Sequence, residues 1–140
     1  MTGIRLLGLD IGMRRIGIAI SDELGIIATP LGFVERGDGD REAFRALIEK
    51  YGIGALIAGM PRGLSGNEGV QAKDVRTYTN KLARDLGLKV SYYDERLTTV
   101  IAERTLISHG RTRNQRKLEI DAAAAAVMLQ GYLDAQASRR

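Results

Sequence analysis

The segment Ile4 to Ile20, IRLLGLDIGMRRIGIAI, constrains the fold more than any other stretch. Leu6, Leu7 and Leu9 lead up to Asp10, and Ile16, Ile18 and Ile20 alternate after a short Gly-and-Arg turn in the period-2 pattern of a strand. It therefore reads as two apolar strands in a hairpin, with one carboxylate near the end of the first. A charged group at the end of a hydrophobic strand is expensive to bury unless it is paired or coordinated. On its own, Asp10 could equally serve the turn as a local hydrogen-bond acceptor.

The rest of the chain follows that hairpin with a third strand, Ile26 to Val34, whose Pro30 suits a sheet edge. Asp40 is a plausible N-cap for a helix through Tyr51, in which Phe44, Leu47, Ile48 and Tyr51 fall on one face before Gly52 stops it. Ala55 to Ala58 suits a strand buried on both faces, and a Gly-rich loop, 59–69, follows. A second helix runs from Val70 to Leu86 with Val75, Tyr78, Leu82 and Leu86 as its stripe. Lys89 to Tyr93 forms a fifth strand running into Asp94 and Glu95. Thr98 or Thr99 caps a third helix to about Ser108, and a basic loop leads into a last helix from about Leu118 to Ala135. The order β-β-β-α-β-α-β-α-α, with hairpins first and right-handed crossovers after, implies an α/β fold: one mixed sheet with helices on both faces. The 140 residues suit a single domain.

Three places put carboxylates where a packed element is otherwise apolar: Asp10, the Asp94–Glu95 pair, and Asp121. Helical spacing sets Asp121 on one stripe with Ala125, Met128 and Tyr132, which should face the sheet. The C-terminal ends of parallel strands form the edge where open α/β sheets bind ligands. Asp10, Asp121 and one of Asp94 and Glu95 are thus expected to meet there, and successive strand residues point to opposite faces, so the pair supplies only one. Clustered carboxylates need raised pKa values or a cation. Oxygen ligands without Cys or His favour Mg²⁺ or Mn²⁺. Two such ions about 3.5–4 Å apart are a standard device for phosphodiester hydrolysis. The local alternatives are pairing of Asp94 with Arg96 and of Asp121 with Lys117.

Absence of cysteine excludes a disulfide framework and thiolate chemistry, and fits a reducing cytoplasm. No apolar run approaches membrane-spanning length and no signal-peptide core is present, so neither a span nor secretion is expected. The 21 Lys+Arg against 17 Asp+Glu suit a polyanionic partner. Arg14 and Arg15 follow Asp10, Arg62 sits in the Gly-rich loop, Arg96 follows the acidic pair, and RTRNQRK contributes Arg111, Arg113, Arg116 and Lys117. These are the candidate phosphate contacts. The loop 59–69 has neither the G-x-x-x-x-G-K-[ST] spacing nor the G-x-G-x-x-G pattern of phosphate-binding loops. His109, beside Gly110, reads as a helix-end residue. Aromatic residues are only 5% of the chain, which gives little sign of a base-stacking platform.

The stretches GLDIGMRRIGIAISD, GMPRGLSGNEGVQA, YDERLTTVIAE and RTRNQRKLEIDAAAAAVMLQGYLD resemble the YqgF/RuvX family, in order, from about residue 4 to 134. The resemblance implies an RNase H-like fold similar to the junction resolvase RuvC. It implies a cytoplasmic, metal-dependent endonuclease processing the 5′ end of pre-16S rRNA, or resolving Holliday junctions. Asp10 matches the family's first-strand acid and Asp121 its last-helix acid. The DER motif falls on Asp94, Glu95 and Arg96, with Glu95 preferred as ligand and Asp94 second. Met13 departs from the small polar residue common in that turn. Glu119 lies about 200° round the helix from Asp121 and is a poor fourth acid.

Expected partners are structured RNA or branched DNA, with no membrane. Resolvases act as two-fold dimers, so a homodimer is among the expected partners. A non-catalytic nucleic-acid scaffold is the competing class. A phosphotransferase is a third, because D-x-G turns also contact phosphates in the sugar-kinase fold, although that fold needs two such domains.

Overall fold

The computed structural model describes residues 4–60, 69–94 and 113–138, and for 113–121 the backbone alone. In chain order the elements are β1 (Arg5–Ile11), β2 (Arg15–Ser21), β3 (Ala28–Glu35), α1 (Asp40–Tyr51), β4 (Ile53–Met60), α2 (Val70–Leu86), β5 (Lys89–Asp94) and α3 (Arg113–Ala137). The sheet order is β3-β2-β1-β4-β5. β2 is antiparallel to both β1 and β3, whereas β4 is parallel to β1 and to β5. The two hairpins, the two crossovers and the edge position of the proline-bearing strand are as the sequence predicts. The third helix expected near 98–108 lies outside the described residues.

Alternation along the strands sorts the side chains into two cores. Leu7, Leu9, Ile11, Ile16, Ile18, Ile20, Leu56, Ala58 and Met60 are buried on the face covered by α1 and α2, with Phe44, Val75 and Leu82 reaching in from the helices. The other face is covered by α3. There Ala19 and Ile57 meet Ala125, Met128, Leu129 and Leu133. Small residues on this face let the helix approach closely. A Cβ built on Gly8 would stand 2.9 Å from the Leu129 Cβ, a separation that packed carbons do not tolerate.

Three boundaries differ from the sequence expectation. β4 reaches Met60, so Gly59 and Met60 belong to a strand rather than to the Gly-rich loop. α3 starts at Arg113, not near Leu118, so Arg113, Arg116 and Lys117 stand on a helix and not in a basic loop. Arg, Gln, Lys, Leu and Glu are good helix formers, and no Gly or Pro interrupts them before Gly131. Asp40 is not a cap but the first residue of α1, after a left-handed Gly39, and it is buried. Its carboxylate accepts hydrogen bonds from the Gly37 amide, the Arg41 guanidinium and the Tyr78 hydroxyl, tying α1 to α2.

This anchor has a pH signature. Burial pushes the Asp40 carboxyl up, but the Tyr78, Gly37 and Arg41 hydrogen bonds outweigh it and hold the group below its ordinary value. Asp74 is lowered as well, chiefly by its bond to Arg36. A carboxylate with a depressed folded-state pKa adds stability above its unfolded value, about 3.9, that is lost as pH falls through the folded value. The melting temperature should therefore drop steeply below about pH 4. Asp40→Asn should flatten that limb in a thermal-melt series, while an unchanged acid limb would contradict the anchor.

Candidate active site

Asp10 is the penultimate residue of β1, half-buried, and it lies on the α3 face because Leu9 and Ile11 on either side are committed to the other core. Its register partner on β2 is Gly17. On β4, the pairing of Leu9 with Ala58 puts Gly59 at its level, and Gly59 in turn pairs with Tyr93 on β5. Gly17 pairs on its other side with Phe33 of β3. The row across the sheet is therefore Phe33, Gly17, Asp10, Gly59, Tyr93, all on one face. The cross-strand neighbours of Asp10 on β2 and β4 are both glycines, so neither strand sets a side chain against its carboxylate.

The turn after Asp10 is fixed by backbone and by a clamp from the opposite face. The Gly12 amide donates to the Arg15 carbonyl at 2.9 Å. Any Cβ at Gly12 would come within 2.6 Å of that same oxygen, so the position requires glycine. Arg36, just past β3, donates through its amide to the Arg14 carbonyl and through its guanidinium to the Gly12 carbonyl at 3.1 Å. The same guanidinium makes a two-pronged pair with Asp74 of α2, both contacts at 2.8 Å, and lies 4.3 Å from the centre of the Tyr78 ring. Sequence pattern carries no signal for this clamp, because nothing local to Arg36 announces a partner 38 positions away. Its effect is to lock the turn that follows Asp10 to the α1–α2 layer.

Asp94 ends β5 opposite Met60 and is exposed. Tyr93 packs against α3, whereas Tyr92 packs into the α1–α2 core. Alternation therefore puts Asp94 on the Tyr92 face, away from Asp10. Glu95, Arg96, Arg62 and Arg111 lie outside the described residues.

Helix α3 runs antiparallel to β1. Gln130 donates to the Ile26 carbonyl and accepts from the Ala28 amide, and Leu133 lies near Gly25, all at the end of the sheet where β1 begins. Leu129 and the Ala125 carbonyl sit against Gly8 in mid-strand. One further turn toward the helix start, about 5.4 Å, reaches residue 121, and two further residues along β1, roughly 6.6 Å, reach Asp10. The turn carrying Asp121 is thus at the Asp10 end of the sheet, on the stripe of Ala125 and Leu129. The side chains of Asp121, Arg113, Arg116 and Lys117 lie outside the described residues.

Of the remaining basic candidates, Arg14 is exposed at the turn tip beside Met13, and Arg15 holds its guanidinium 5.7 Å from the Phe33 ring centre. Among the described residues no three of His, Cys, Asp and Glu gather as a metal-binding group. Asp10 is the one described carboxylate of the predicted set on the α3 face. Hard carboxylate oxygen in a glycine-flanked niche is donor chemistry suited to a divalent cation. Also among the described residues, no helix is long and apolar enough to cross a membrane.

The model of the RuvX family, described as Holliday junction resolvase, matches residues 4–135. A Lactococcus lactis subsp. lactis protein provisionally named a pre-16S rRNA nuclease is 43% identical, covering 95% of this chain and 96% of its own. A Moorella thermoacetica protein of the same provisional name is 42% identical, covering 94% and 95%. Among solved structures, T. thermophilus RuvC in complex with Holliday junction substrate superposes with a TM-score of 0.56 at 16% identity, over 96% of each chain, a likeness of fold. Resolvases and nucleases of this RNase H-like fold typically use divalent metal ions. The chain belongs to the RuvX family, and its chemistry is that of a nuclease hydrolysing phosphodiester bonds.

Proposed function

We propose that this chain is a divalent-metal-dependent endonuclease whose site is built from Asp10, Glu95 and Asp121, and whose substrate is the 5′ region of pre-16S rRNA. The observation that carries it is the niche at Asp10, flanked by Gly17 and Gly59, with the α3 turn of Asp121 at the same end of the sheet. Asp94 lies on the opposite face, which supports Glu95 as the ligand from that pair. The provisional names of the Lactococcus and Moorella relatives support the rRNA substrate.

These three carboxylates would hold Mg²⁺ or Mn²⁺ in a two-ion arrangement. Ions bound there supply positive charge that makes an attacking water acidic and stabilises the departing oxygen. The protein's own part is positioning. The Arg36 clamp and the Gly12 turn fix Asp10, and the close α3 packing at Gly8 fixes the helix that bears Asp121. Arg14 and Arg15, with Arg62, Arg96, Arg111, Arg113, Arg116 and Lys117, would grip phosphates, giving shape-led and salt-dependent binding. On this reading residues 1–140 act as a single domain in the cytoplasm.

The family's description and its RuvC-like fold favour a second reading, a four-way DNA junction, for which a homodimer would supply two sites. The test sets precursor rRNA and a four-way junction side by side with each metal, wild type against Asp10→Asn. Asp10-dependent cut ends on the rRNA are expected. Cutting of the junction alone would favour the second reading, and binding without cleavage in any divalent metal would leave only a scaffold.

A further inference from the structure

Phe33 belongs to neither apolar core. The residue is 37% exposed on an edge strand, and the core beneath β3 is filled by its neighbours Leu31 and Val34. Its orientation comes from an irregularity in the strand. Ile18 pairs with Gly32 and Ala19 with Pro30, so Leu31 is an extra residue with no partner on β2. Gly32, at φ 133, accommodates the resulting bulge in a conformation that other residues adopt only under strain. Without that extra residue, alternation from Pro30 would send Phe33 toward the α1–α2 core and Val34 to the α3 face. The bulge reverses this: Val34 is buried, and Phe33 stands in the row of Asp10.

With strands about 4.8 Å apart, the Phe33 backbone lies roughly 10 Å from that of Asp10, with only Gly17 between them. Arg15 projects from the same face, its guanidinium 5.7 Å from the ring centre. An exposed aromatic ring beside a cation, on the face and at the level of a nuclease carboxylate, is the chemistry that receives a nucleobase and its phosphate.

We propose that Phe33 is a stacking site for one unpaired nucleobase of the substrate, flanking the phosphate presented to Asp10, with Arg15 positioned for that nucleotide's backbone. The proposal rests on the nuclease reading and adds that the substrate carries an unpaired nucleotide next to the cleavage position. Recognition is then of an exposed base rather than of a sequence, because every base has a face to stack.

The test is equilibrium binding with chelator present, so that nothing is cut. The probes are an RNA hairpin with a short single-stranded 5′ extension and the same hairpin whose extension is abasic. Wild type should bind the first about tenfold more tightly. Phe33→Ala should lose that preference and bind both alike, Phe33→Trp should keep it, and Phe33→Leu should lose it. Thermal melts of each variant should match wild type, since the ring is not part of either core. A Phe33→Ala protein that discriminates as wild type does, or a Phe33→Leu protein that retains the preference, would overturn the proposal. Asp10→Asn should show the wild-type preference, because stacking needs no metal. Asp10-independent cleavage would then count against the nuclease site while leaving this binding result standing.

Discussion

Replacing Asp10 with asparagine is expected to reduce phosphodiester cleavage by at least about a thousandfold, equivalent to roughly 4 kcal/mol of transition-state stabilisation. The substitution is nearly isosteric, so the β1–β2 register and both cores should survive. What it removes is the charge. An amide oxygen is a weaker ligand for a hard cation than a carboxylate, and its NH₂ group is a donor where the niche should offer only acceptors. Substrate affinity in chelator should stay close to wild type, because the proposed phosphate contacts are assigned to the basic residues and not to Asp10. The measurement pairs cut-product kinetics with binding isotherms. A variant that binds and cuts as wild type does would remove Asp10 from the chemistry.

The second large effect lies at Gly8. A methyl group there would already meet Leu129, and Gly8→Val adds two more carbons with no room to turn. Overpacking of this kind costs about 1–3 kcal/mol, occasionally more, and in a domain this size each kcal/mol is worth about 2–4 °C in melting temperature. Because α3 carries Asp121, lifting the helix off β1 should also depress cleavage at temperatures where the variant remains folded. Leu129→Ala alone should cost about 2–5 kcal/mol through the cavity it leaves. Combined, the two changes should cost less than their sum, since the alanine vacates the space the valine needs. Additive losses would show that α3 does not rest on Gly8 in solution.

How far the sequence reveals this molecule can be seen residue by residue. The stripes of α1 and α2 are plain because Phe44, Val75 and Leu82 fall at helical spacing and are buried where that spacing puts them. The parallel order of β1, β4 and β5 follows from the helices between them, so the end of the sheet that carries Asp10 could be predicted. Asp40 read as a cap because capping is local, whereas its burial depends on Tyr78 of a helix that pattern alone does not dock against α1. The early start of α3 was masked by the charge run of Arg111 to Lys117, which has helical propensity but no apolar stripe. Phe33 escaped notice since its face is set by a bulge. The glycine in PLGF was the available hint, as an interior strand glycine often marks one. That Asp94 stands on the α1–α2 face follows from the registry of Tyr92 and Tyr93, which only the two cores supply.

The proposed chemistry requires acids to converge at the Asp10 niche. Manganese anomalous scattering from crystals grown with Mn²⁺ tests this directly. A peak bonded to an Asp10 carboxylate oxygen and shared with Asp121 and Glu95 is the predicted result. Crystals in which Mn²⁺ leaves Asp10 unliganded, or settles on Asp94 across the sheet, would contradict it.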